Sequence, residues 1–85
     1  MTGAAVQVTV RYYAGARAAA GVDSETVSGR TVTEVVSAVA ALHGDPLRRV
    51  LDVATLLVEG RAVRDRGVAL SDGATVEVLP PFAGG

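Results

Sequence analysis

Val6, Val8, Val10 and Tyr12 alternate with Gln7, Thr9, Arg11 and Tyr13. A period of two sends each set to its own face, so this stretch predicts a half-buried strand. Ala14 to Ala20 has room for a helical turn, which Gly21 would close. Glu25 to Val27, extended by a residue or two either side, predicts a second strand that ends at Ser28-Gly29. The period then changes. Val32, Val35, Val36, Val39 and Leu42 recur at helical spacing and make one apolar stripe. Thr31 and Glu34 have capping-box spacing: the hydroxyl takes an otherwise unpaired amide and the carboxylate reaches back. Gly44 stands where a left-handed terminator belongs, and Pro46 starts a further turn carrying Leu47, Val50 and Leu51. Valine is a modest helix former, so packing has to hold this helix.

Val53 to Val58 is nearly continuously apolar and predicts a buried strand. Periodicity fails in such a run, so it leaves open which of Leu56 and Leu57 faces the core. Glu59-Gly60 marks a turn, followed by a short edge segment from Arg61 to Arg64. Ser71-Asp72-Gly73 is a second turn signal. Thr75 to Leu79 alternates again, with Val76 and Val78 on one face and Glu77 on the other. Pro80-Pro81 ends it, because neither residue can donate to a sheet ladder. One helix cannot cover both faces of a sheet. The expected class is therefore α+β, a mixed sheet of about five strands with one main helix on one face. The first strand's clean alternation agrees with a sheet buried on one side only. Residues 1–79 form the expected domain, with 1–5 flexible, and 80–85 an extended tail.

Composition narrows the function. Eighty-five residues make one domain, and an apolar fraction of 49% with 20% charged residues calls for a packed core. Eight arginines against nine acidic residues give a formal charge of −1, with no basic excess to hold a phosphate backbone. No nucleic-acid partner is expected. Cysteine is absent, which removes disulfides, thiolate metal sites and a cysteine nucleophile. No apolar run approaches the ~18 residues of a membrane span, and Met1 to Val6 carries no signal-peptide charge. A soluble cytoplasmic protein with no membrane partner is the expectation. Lysine is absent too, which the Ala-, Val-, Gly- and Arg-rich composition explains as codon bias.

An internal active site is hard to find. Gly15 and Gly21 lack the flanking pattern of a phosphate loop. Asp23 and Glu25 read as solvated surface carboxylates rather than an acid–base pair. His43, near a helix C-terminus, reads as a dipole-compensating residue rather than a catalyst. Arg48-Arg49 and Arg61, Arg64 and Arg66 read as a solvated face. The end of the chain is different. On composition alone, a closing Gly-Gly occurs roughly once in seventy chains. Frayed termini do collect small residues. Phe82, however, is one of three aromatics and lies past the last strand with no core to enter, which suits an interface anchor. A diglycine tail can thread a narrow channel and carry its carboxylate into another protein's site, and the two prolines would pre-extend it.

These residues carry a resemblance. The element order, the Tyr13-Ala14-Gly15-Ala16-Arg17 opening, the Leu70-Ser71-Asp72-Gly73-Ala74-Thr75-Val76 stretch and the closing Pro80-Pro81-Phe82-Ala83-Gly84-Gly85 resemble the MoaD-type ubiquitin-like sulfur carriers of the MoaD/ThiS family. The match covers the chain after its first five residues, and its most specific part is the Pro-Pro-x-x-Gly-Gly terminus. One departure is Glu59 after Val58, where many relatives have Asn.

The resemblance implies a β-grasp fold and the role of molybdopterin synthase small subunit in molybdenum cofactor biosynthesis. An adenylating enzyme of the MoeB type would let the Gly85 carboxylate attack ATP. A sulfur donor would displace AMP to leave a thiocarboxylate, and the tail would enter a MoaE-type large subunit to give sulfur to a pterin precursor. On this reading Gly85 is the reactive residue. Pro80, Pro81, Phe82, Ala83, Gly84 and Tyr13 bind partners. The chain binds no metal and no cofactor of its own, since ATP belongs to the adenylating partner. It is a non-catalytic carrier alone and part of an enzyme only in complex. Other readings stay open: a sulfur carrier for thiamine or cysteine synthesis, a protein modifier joined to target lysines, or a non-covalent interaction module. A further expectation is that the sheet face away from the helix docks the partner, with Tyr13 and Phe82 near its centre, because Tyr13 has the opposite parity to its strand's valines. Lacking lysine, an activated Gly85 would have no internal amine side chain to attack.

Overall fold

A computed structural model describes residues 6–81. The alternating opening forms β1 (Gln7–Tyr12) and the alanine-rich stretch forms α1 (Ala14–Ala20), closed by left-handed Gly21 at φ 79°. β2 (Ser24–Ser28) leads to α2 (Val32–His43), and α3 (Asp45–Val53) follows directly. β3 (Thr55–Val58), β4 (Arg61–Val63) and β5 (Thr75–Leu79) complete the chain's regular structure. The five strands make one sheet in the order β2-β1-β5-β3-β4. β1 and β5 run parallel, and the other neighbours are antiparallel. The two halves of the chain thus meet at the sheet's centre, with β5 between β1 and β3. This is the expected β-grasp arrangement.

The core lies between the sheet and the helices. Val8, Val10 and Tyr12 of β1, Val76 and Val78 of β5, and Leu56 of β3 are almost fully buried. They meet Val32, Val35 and Val39 of α2, Leu47 and Leu51 of α3, and Ala16 of α1. Leu56, at 1% exposure, is the inward residue of the pair the sequence left open; Leu57 takes the outer face. With branched aliphatics filling this space, Leu56→Ala would cost about 2–5 kcal/mol.

Several boundaries differ from expectation. Val53 does not open a strand: it ends α3 and is 63% exposed, so the strand occupies only the last four residues of that apolar run. Leu42 is not part of the buried stripe and is also 63% exposed. At about 100° per residue, His43 falls in line with Val32 and Val39, and Leu42 lies at the stripe's margin. The turn begun by Pro46 continues into a nine-residue helix. Gly44 has φ 84° but ψ −164°, so it leads straight into α3 rather than making a left-handed cap. The edge segment stops at Val63, one residue short of Arg64. At the start of α2, Thr31 Oγ1 accepts from the Glu34 amide at 3.2 Å, as the spacing requires. The Glu34 carboxylate reaches one residue further back than expected, to the Arg30 amide at 2.7 Å.

Glu59 and Gly60 both have positive φ, 49° and 83°, which is the geometry of a two-residue hairpin turn. Glu59 tolerates it through two bonds to the neighbouring strand. Its amide donates to Thr75 O and its carboxylate accepts from the Thr75 amide, at 3.0 and 2.7 Å. That accounts physically for a residue other than Asn at this turn.

Candidate functional site

Because β5 is the central strand, the chain after Leu79 leaves from the middle of one sheet edge. The described residues end there with half-buried Pro80 and exposed Pro81. Phe82, Ala83, Gly84 and Gly85 lie outside the described residues. So do residues 1–5, of which flexibility was expected.

Tyr13 stands at this exit. It follows Tyr12, the partner of Val78 in the β1–β5 register, and its amide donates to Val78 O at 3.3 Å. Its phenol donates to Glu77 Oε2 at 2.6 Å. That bond is the chief reason the Tyr13 phenol holds its proton more tightly than usual, with burial adding to it and the Arg11 charge opposing it. Immediately after, Ala14 has φ 49° and turns the chain into α1. Arg11, Glu77, Leu57 and Ala62 sit abreast on β1, β5, β3 and β4, with the outer-face parity that Tyr13 shares. Tyr13 is therefore on the face away from the helices, as its parity predicts. That face is mainly polar, with Leu57 and Leu79 as its larger aliphatic residues.

A second polar cluster sits at the same end of β1, on the face that the helices cover. Tyr12 Oη donates to Glu25 Oε2 at 2.5 Å, and His43 Nε2 lies 2.6 Å from the same oxygen. The Tyr12 and His43 rings meet edge to face at 6.2 Å. Burial, then the Glu25 bond and charge, push the Tyr12 phenol far above its ordinary value. Glu25 is thus not the solvated surface carboxylate the sequence suggested: α2 brings His43 back over β2 to cover it. Asp23 instead pairs with Arg17 at 3.5 Å on the surface. Sequence reading also missed Arg66, whose guanidinium donates to Leu51 O and Ala54 O at 2.8 and 3.3 Å and caps α3. A basic side chain twelve or more residues from the carbonyls it serves leaves no local signal.

The described residues engage several of their acidic groups with phenols, main-chain amides and a guanidinium. No three His, Asp or Glu side chains among them converge as metal ligands. One concavity among the described residues, of about 440 Å³ between Ala54, Thr55 and Arg64, is an open notch. No helix among the described residues is long and apolar enough to cross a membrane.

A model of the ThiS family matches residues 10–85, nearly the whole chain. The chain belongs to the ThiS family. Solved structures agree. A putative molybdopterin converting factor subunit 1 from Pyrococcus furiosus is 30% identical, with 91% of this chain and 99% of that one covered and a TM-score of 0.79. The small archaeal modifier protein 1 of Methanosarcina acetivorans superposes with a TM-score of 0.85 over 98% of this chain and 100% of its own, at 24% identity. Subunit 1 of the molybdopterin-converting factor of Helicobacter pylori, solved in complex with subunit 2, gives a TM-score of 0.71 at 20% identity, covering 94% of this chain and all of that one. A search of curated proteins gave no match. As a ThiS-family member the protein is a ubiquitin-like sulfur carrier, and its β-grasp fold is that of the family's solved relatives.

Proposed function

We propose that this ThiS-family chain is the small subunit of a molybdopterin synthase and that the Gly85 carboxylate carries the sulfur. The observation that carries the reading is the family match through residue 85, which includes Pro80-Pro81 and Gly84-Gly85. The Pyrococcus furiosus relative supports the choice of acceptor. In the first step the Gly85 carboxylate attacks the α-phosphate of ATP on an adenylating enzyme, releasing pyrophosphate. A sulfur nucleophile then adds to the acyl carbon and AMP leaves, so the carboxylate oxygen is exchanged for sulfur. The resulting thiocarboxylate enters the large subunit and donates its sulfur to a pterin precursor. Pro80, Pro81, Phe82, Ala83 and Gly84 form the threading segment. The outer sheet face docks the partner, with Tyr13 and Phe82 as anchors.

Removing Gly84 and Gly85 tests the role. The shortened chain should still bind the large subunit and lose all sulfur transfer. Retained function would make the protein a non-covalent interaction module. The acceptor is tested by giving the thiocarboxylate-loaded chain and the large subunit a cyclic pterin phosphate. Dithiolene formation is expected, and recovery of Gly85 in an amide with a target lysine would establish a modifier instead.

A further inference from the structure

Tyr13 is bonded to the end of β5 twice, once through its main chain and once through its side chain. The amide reaches Val78 O and the phenol reaches back to Glu77 Oε2. Beyond the Tyr12–Val78 pair, this residue is what holds the β1 flank of β5; on the other flank Thr55 pairs with Leu79. Pro80 comes two residues after Val78 and three after Glu77. The chain supplying both bonds departs at once through Ala14, whose positive φ of 49° is a conformation that L-residues rarely hold. Glu77 has Arg11 beside it in register, yet among the described residues its hydrogen bond is to the phenol and it forms no salt bridge. Both halves of the clamp thus fall on the last residues before the tail.

Resting on the carrier reading above, we infer that Tyr13 is a positioning residue for the tail: the Tyr13–Glu77 and Tyr13–Val78 bonds fix the end of β5 and so the direction in which Pro80-Pro81 leaves the sheet. A tail that already points along one line loses less orientational freedom when it threads a partner. The clamp should therefore act on capture of the tail and not on the acyl step, where the partner itself holds Gly85. It belongs to the phenol oxygen, whereas docking of the outer face belongs to the ring.

The two can be separated by steady-state adenylation of the full chain with its adenylating enzyme, followed as ATP–pyrophosphate exchange. Tyr13→Phe should raise KM for the carrier about fivefold, the order of one ordinary hydrogen bond, with kcat nearly unchanged. Glu77→Gln keeps an acceptor oxygen and should retain the native KM. Glu77→Ala should match Tyr13→Phe, and the double variant Y13F/E77A should be no worse than either single change. In the free chain, hydrogen exchange at the amide of residue 13 should quicken in both Tyr13→Phe and Glu77→Ala. A native KM in Tyr13→Phe would overturn the inference. So would a rise in Glu77→Gln equal to that in Glu77→Ala, which would assign the effect to charge. Failure of the carrier reading shows differently: the unaltered chain would not be adenylated at all. The exchange measurement would still judge the clamp, and unchanged exchange in Tyr13→Phe would refute it.

Discussion

Tyr12, Glu25 and His43 show how a single residue can join three elements. One carboxylate oxygen on β2 takes the phenol of β1 and faces the imidazole at the end of α2. Tyr12→Phe would remove one of these bonds from a partly buried carboxylate and should cost about 1–2 kcal/mol in urea unfolding. The sign of its pH dependence follows from its raised affinity for the proton. Folding favours the protonated phenol, so this contribution is complete below the ordinary value of 10 and is lost as pH climbs beyond it. Stability should fall on the alkaline side above about pH 10, and Tyr12→Phe should flatten that limb. Glycines give a second residue-scale test. A Cβ on Gly29 would lie 2.7 Å from Val35 Cγ2 and 3.0 Å from the Val35 amide, so Gly29→Ala should destabilise by about 1–3 kcal/mol. Gly15 lies in α1 with open space around it, and Gly15→Ala should stabilise by up to about 1 kcal/mol. Equal effects from the two substitutions would contradict this packing.

At the scale of elements, local signals were read most clearly where chemistry is local. The Thr31–Glu34 cap, the Gly21 stop and the Glu59-Gly60 turn depend on neighbours in sequence, and each was visible there. Thr31→Ala should cost about 1 kcal/mol by freeing the Glu34 amide, measurable as a lowered urea midpoint. Where apolar residues run without a period, the boundary was hidden: Val53 closes a helix and Leu56 enters the core two residues into a strand. Leu42 misled for a related reason. Its spacing fits the stripe, but the last turn of α2 is set by His43 reaching Glu25, a long-range bond with no local sign. Arg66 capping α3 belongs to the same class. As for the candidate site, Tyr13's face followed from its parity alone. Its bond to Glu77 did not, because β1 and β5 become neighbours only through the fold.

At the scale of the whole molecule, the last strand of the chain is also the central strand of the sheet. The core is filled by aliphatic side chains, the acidic side chains Glu25, Glu34, Glu59, Asp65, Asp72 and Glu77 are engaged in internal hydrogen bonds, and the central strand aims the chain outward past Tyr13. A carrier of this design needs no nucleophile of its own in the body of the domain. The sequence supplies none of cysteine or lysine. That absence also makes the central claim easy to test. The chain is incubated with the adenylating enzyme, ATP and a sulfur donor, then treated with a thiol-alkylating reagent, and its intact mass is measured. Exchange of oxygen for sulfur adds about 16 Da, as does oxidation of Met1, and alkylation tells the two apart. The account predicts one alkyl adduct, mapped to Gly85. An unalkylated chain, recovered from an enzyme active on another carrier with the same donor, would contradict it.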